Sequence, residues 1–88
     1  MRKLECINGL DYDTVMFRNE LADLIRHGLR CRVDYIESIM VDDDGYYVYF
    51  YSKHELMRYY DKYNLVARKI KEFCVVKERD DKLNELGI

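Results

Sequence analysis

Three cysteines, two histidines and a run of aspartates are the residues whose chemistry must be tested first. Cys6, Cys31 and Cys74 lack the short pair spacing of a zinc site, and His27 and His54 stand apart from them and from each other. Each cysteine falls on an expected apolar face, where it serves as a small hydrophobic side chain. Asp42-Asp43-Asp44-Gly45 has a calcium-like composition, but a calcium loop alternates its oxygen ligands and closes on a glutamate six residues past its glycine. Tyr51 occupies that closing position and Met40 the first ligand position. There is no glycine-rich phosphate loop and no nucleophile elbow, and neither Ser38 nor Ser52 has a recognisable histidine partner. These patterns predict no metal, no cofactor and no catalytic site. The chemistry that stands out is adhesive: nine tyrosines and no proline. Tyrosine offers a large rigid contact area with a polar tip, suited to a surface that must be both wet and sticky.

The element that positions most of those tyrosines is the stretch Leu29–Ser52, which reads as a two-stranded hairpin closed by Asp44-Gly45. In that register Asp43 faces Tyr46, Val41 faces Val48 and Ile39 faces Phe50. Strand side chains alternate, so Leu29, Cys31, Val33, Tyr35, Ile39, Val41, Tyr46, Val48 and Phe50 fall on a core side. Arg30, Arg32, Asp34, Ile36, Ser38, Met40, Tyr47, Tyr49 and Tyr51 fall on the other. That second side is too polar for a core and too aromatic to be idle.

Around the hairpin, residues 2–7 alternate like a strand and end at the turn signal Asn8-Gly9. Asp11 to Thr14 supply helix N-cap candidates ahead of the stripe Phe17, Leu21, Leu24 and Ile25, and Gly28 is the expected helix end. Ser52-Lys53-His54-Glu55 has the form of a capping box. It precedes Leu56, Tyr59, Tyr60, Tyr63, Val66, Ala67, Ile70, Phe73 and Cys74 at steps of three and four, a second amphipathic helix. Val75 and Val76 leave that stripe and suggest a last strand, and residues 80–87 a short helical turn or tail. The expected fold is α+β: a ferredoxin-like βαββαβ chain with an antiparallel sheet and two helices on one face. The alternative is βαββα with one long C-terminal helix.

Eighty-eight residues make a single domain, and 49% apolar content suffices for one core. The chain has neither a signal-peptide-like start nor an apolar run of membrane-spanning length, and its few cysteines suit a reducing compartment, so a cytoplasmic location is expected. A net charge of −2 gives no bulk attraction to nucleic acid. The charge is uneven: residues 1–44 carry six basic against ten acidic side chains, and residues 45–88 nine against seven.

The working surface expected from these observations is the uncovered hairpin face. Tyr47, Tyr49, Tyr51, Met40 and Ile36 form the patch, Arg30, Arg32 and Asp34 orient a partner, and Asp42, Asp43 and Asp44 pair with basic groups. Tyrosine and arginine dominate interface energetics, so a protein partner is expected first and a second copy of the chain second. In style such a module resembles phage- or plasmid-encoded inhibitors of host proteins, anti-CRISPR proteins among them. The run Gly45-Tyr46-Tyr47-Val48-Tyr49-Phe50-Tyr51, with the order of elements and Leu4-Glu5-Cys6-Ile7-Asn8, resembles the RNA-recognition motif. That resemblance implies stacking of single-stranded RNA bases on strand aromatics. The chain departs from the motif at Asp44, where a basic residue stands before the glycine, and at Glu5, where the first strand offers an aromatic.

Overall fold

A computed structural model describes the backbone of residues 1–85 and the side chains of residues 1–77. Strand β1 (Arg2–Lys3) leads through a 3-10 turn (Glu5–Ile7) into helix α1 (Tyr12–Leu29). Three consecutive strands follow, β2 (Tyr35–Val41), β3 (Tyr46–Ser52) and β4 (Glu55–Asp61), and then helix α2 (Leu65–Glu85). The sheet order is β1-β2-β3-β4 with every neighbour antiparallel. The α+β class and its antiparallel sheet match expectation. The ferredoxin-like order does not, because the fourth strand follows the third directly and the segment after Cys74 is helix.

The central strand accounts for the difference. Val48 and Phe50 on β3 are fully buried, together with Ile39 on β2 and Leu21, Ile25 and Ile70 from the two helices. A strand buried this deeply needs hydrogen-bonding neighbours on both sides, and β4 supplies the second. Lys53 and His54, expected in the first turn of a helix, instead adopt φ of 51° and 71°. Two successive positive φ values make a tight hairpin turn whose twist matches the strands. Ser52 pairs with Glu55 across it and caps no helix. Tyr59 and Tyr60, read as one helical stripe, therefore lie on opposite faces of β4.

The β2–β3 register is displaced from the expected one. Val41 pairs with Tyr46, Ile39 with Val48 and Met40 with Tyr47. The connection is thus a four-residue acidic loop in which Asp42 accepts hydrogen bonds from the main-chain N–H groups of Asp44 (2.8 Å) and Gly45 (3.1 Å). Gly45 has φ +154°, and a Cβ there would lie 2.7 Å from the Asp61 carbonyl oxygen. The two-residue slip keeps side-chain parity, so the inward set Ile39, Val41, Tyr46, Val48 and Phe50 survives it. An irregularity between Ile36 and Ser38 then reverses parity upstream. Ile36 pairs with Phe50 and is buried, whereas Tyr35 pairs with Tyr51 on the outer side. Both reverse their expected places. Leu29 belongs to α1 and is exposed.

Both helices pack on the face bearing Ile36, Ile39, Val48 and Phe50. Asp11 caps α1, accepting from the Thr14 N–H (3.2 Å) and hydroxyl (2.8 Å). The helix runs one residue past Gly28 and stops at Arg30, which takes the left-handed conformation itself. Two arginines on its polar side hold the flanking loops: Arg18 donates to the carbonyls of Ile7 and Gly9, and Arg26 to that of Val33. Helix α2 continues through Val75 and Val76 because it is held laterally on α1. Phe73 stacks on Phe17 (centroids 4.1 Å), Lys77 pairs with Asp11, and Cys74 is disulfide-bonded to Cys6 with Cα atoms 5.8 Å apart. That bond corrects the reading of these cysteines as separate apolar side chains and removes the support they lent to a reducing compartment. Cys31 is free and packs against the core edge. Part of the 80–87 segment is helix to Glu85, and the rest lies outside the described residues.

Asp61, only 3% exposed, joins the sheet to α2 by accepting from the main-chain N–H groups of Asn64 (3.1 Å) and Ala67 (3.0 Å). Asp61→Ala leaves the buried Ala67 N–H and the partly buried Asn64 N–H without their acceptor and is expected to lower unfolding free energy by about 1–3 kcal/mol in urea denaturation. Asp61→Asn keeps one acceptor oxygen and is expected to lose less.

Candidate functional site

The face opposite the helices is built by three strands in register. Met40, Tyr47 and Tyr60 form one cross-strand row, Ser38, Tyr49 and Arg58 a second, and Tyr35, Tyr51 and Leu56 a third. No helix covers these rows. Tyr35 and Tyr51 stack at 5.1 Å between centroids, and Tyr47 and Tyr60 meet at 5.0 Å with tilted planes. The Arg58 guanidinium lies 5.5 Å over the Tyr47 ring. Such pairs give a sheet surface side-chain order beyond what its backbone imposes. Tyr60 donates its hydroxyl proton to the Asp44 carbonyl (2.7 Å), which fixes the acidic loop against β4. Burial, with Asp42 nearby, raises the Tyr47 phenol above its ordinary value; burial, with Asp61 nearby, does the same for Tyr59 on the inner side. These phenols stay neutral at physiological pH and act as hydrogen-bonding tips on apolar rings.

The expected site residues divide clearly. Tyr47, Tyr49, Tyr51 and Met40 are brought together on this face and are half-buried. Ile36 is excluded, since it lies in the core on the other side. Arg30 is the left-handed C-cap of α1 and lies in no strand of the face. Arg32 and Asp34 pair with each other at the start of β2, the Arg32 Nε donating to Asp34 Oδ1 at 2.6 Å and the Lys53 N–H to Oδ2 at 3.0 Å. Asp34 is thus occupied in closing the Lys53-His54 turn. Asp42 is occupied in its own loop, while Asp43 and Asp44 are exposed. Tyr35, Tyr60, Arg58 and Leu56 join the face unforeseen. The signal for the last three was the alternation Leu56, Arg58, Tyr60, hidden by an equally good helical spacing.

Among the described residues no group of three or more His, Cys, Asp or Glu is placed to hold a metal ion. The described helices include none long and apolar enough to cross a membrane. An open cleft of about 630 Å³ runs between α1 and α2 over Met16, Phe17, Phe73 and Val76, on the far side of the molecule from the tyrosine rows. No family model, curated protein or solved structure matched the chain.

The Arg32 hydrogen bond holds the Asp34 carboxyl below its ordinary value. A carboxyl depressed in the folded state adds stability above the ordinary carboxylate range, and that contribution is lost as pH falls through the folded value. Arg32→Ala is therefore expected to move the Asp34 carboxyl titration upward, read by carbon-detected NMR between neutral and acid pH.

Proposed function

We propose that this domain is a non-enzymatic protein-interaction module that works by laying its outer sheet face on a protein partner. One observation carries the reading: Tyr35, Tyr47, Tyr49, Tyr51 and Tyr60 share one uncovered face with Met40, Leu56 and Arg58. A contiguous, partly apolar surface of tyrosine and arginine is the composition that interfaces concentrate at their centres. The rings are already held by their neighbours, so little side-chain freedom is lost on contact. Rigid aromatic anchors on a sheet support steric occupation, in which the covered surface is denied to the partner's own ligand. That is how a small phage-type inhibitor of a host protein, such as an anti-CRISPR protein, would act. Arg58, on the edge strand of the face, replaces Arg30 and Arg32 as its cation, and Asp43 and Asp44 stand at its margin for basic groups.

Capture of partners from the native host by the wild-type domain, compared with a Tyr47/Tyr49/Tyr51 triple alanine, tests the reading. The triple variant is expected to lose its bound protein while keeping its circular dichroism and most of its unfolding free energy, because these rings add little to the core. Equal capture by both forms would remove the face from consideration. Binding of single-stranded RNA that weakens steeply with salt and is lost in Tyr49→Ala would assign the same face to nucleic acid instead.

A further inference from the structure

The two edges of the sheet are managed differently. On one side β1 pairs over only two residues, and the exposed half of β2 beyond it is broken by the irregularity at Glu37. Short strands and bulges are the usual means of preventing edge-to-edge pairing. On the other side β4 pairs with β3 without interruption from Ser52↔Glu55 to Tyr46↔Asp61, and among the described residues no strand pairs with its outer edge. It carries no proline and no bulge, and Leu56, Met57 and Tyr60 are 53%, 42% and 45% exposed. An unbroken seven-residue edge, with Leu56 and Tyr60 on one face and Met57 and Tyr59 on the other and a charge only at Glu55, Arg58 and Asp61, is a template for another strand.

We propose that β4 is a homodimerisation edge, pairing antiparallel with β4 of a second copy about a twofold axis at Arg58. The hairpin geometry selects this register. Ser52 and Glu55 close a two-residue turn, and the closing pair of such a hairpin exchanges both main-chain hydrogen bonds. Glu55, Met57, Tyr59 and Asp61 therefore direct their main-chain groups to β3, and Leu56, Arg58 and Tyr60 direct theirs to the open edge. Only pairing centred on Arg58 satisfies all three within the strand. It sets Leu56 opposite the second copy's Tyr60 on the outer face and Met57 opposite its Tyr59 on the inner face, both aliphatic–aromatic pairs, and Glu55 opposite its Asp61, whose carboxylate is held by the Asn64 and Ala67 N–H groups. The two Arg58 side chains meet at the axis, but each guanidinium is drawn inward over its own Tyr47 ring.

Charge identifies the occupant as another copy of this chain. The basic turn Lys53-His54 stands at one end of β4, and the acidic loop Asp42–Asp44, bonded to β4 through Tyr60, stands at the other. Lys62, at the acidic end, falls opposite the second copy's His54 in this register, and its ammonium lies over its own Tyr63 ring. Antiparallel pairing sets each basic turn beside the other copy's acidic loop, two strand spacings or about 10 Å away and within reach of a lysine side chain. The contact occurs twice by symmetry. The product is one continuous sheet with both tyrosine faces on the same side. This inference does not depend on what those faces bind.

Sedimentation velocity of the full chain across a concentration series is the test. The wild type is expected to show twice the mass of the single chain. Arg58→Pro removes an outward N–H and no bond to β3, and is expected to weaken dimerisation roughly tenfold or more with the circular dichroism retained. As an independent arm, Lys53→Glu with His54→Glu is expected to dissociate the dimer at low salt, and adding Asp43→Lys with Asp44→Lys is expected to restore it. Tyr49→Arg, on the sheet face, is expected to leave the dimer intact. A single-chain mass at every concentration would overturn the proposal. So would a dimer indifferent to the charge variants, or one that dissociates in Tyr49→Arg.

Discussion

The structure depends on the burial of Val48 and Phe50, two side chains of one strand that reach no solvent at all. Because strand side chains alternate, fixing these two inward fixes Tyr47, Tyr49 and Tyr51 outward. A shift of one residue would expose a phenylalanine and a valine while burying three phenols, so the parity is held by the transfer free energy of several apolar groups. Every neighbouring element adapts to that parity. Strand β2 slips by two residues, an even number, in making its acidic loop. At Glu37 it breaks register so that Ile36 reaches the core, and the break also delivers Tyr35 to the outer face.

The helices form a lid over that inner face, and the lid is tied at its own edges. Phe17 on Phe73, Lys77 on Asp11 and the Cys6–Cys74 bond join the N-terminal segment and α1 to α2. Asp61 sets where α2 begins, and the Arg18 and Arg26 guanidinium groups hold the loops on either side of α1. The polar side chains that sequence reading would send to a partner are therefore largely consumed by the fold. Asp34 and Asp42 close turns, Arg32 is paired with Asp34, and Arg30 ends a helix.

Much of this was legible in the residues, with a physical reason for each limit. The stripe Phe17, Leu21, Ile25 and the cap at Asp11 announce α1, and the alternation over residues 46–51 announces β3 with its two faces. Residues 53–63 misled because Leu56, Tyr59, Tyr60 and Tyr63 satisfy helical spacing, while Leu56, Arg58 and Tyr60 satisfy strand spacing equally well. Local pattern cannot choose between them; the unpaired side of β3 does. The turn that enables β4 is built from Lys53 and His54, which carry none of the usual glycine or asparagine signal. The Glu37 irregularity likewise has no local signature, which is why Ile36 and Tyr35 exchanged places. Cys6 and Cys74 are 68 residues apart in sequence. Only the packing of α2 against the 3-10 turn shows that they meet.

An outer face made of tyrosine rather than leucine or phenylalanine resolves a conflict that a small sheet with one bare side must face. Large aliphatic side chains in those rows would present a continuous apolar sheet surface beside a bare edge, the combination that leads to uncontrolled association. Phenol hydroxyls keep the rows wetted, and stacking within them (Tyr35 on Tyr51, Tyr47 on Tyr60) holds the rings in place before any partner arrives. Arg58 adds a charge at the centre of the β4 row while its guanidinium rests on Tyr47, so a single residue both moderates the edge and completes the aromatic face. Edge and face are therefore coupled through side chains of the same strand. Leu56, Arg58 and Tyr60 present their rings and chains to the face and their main-chain groups to the edge, so a contact at either surface orders the residues that serve the other.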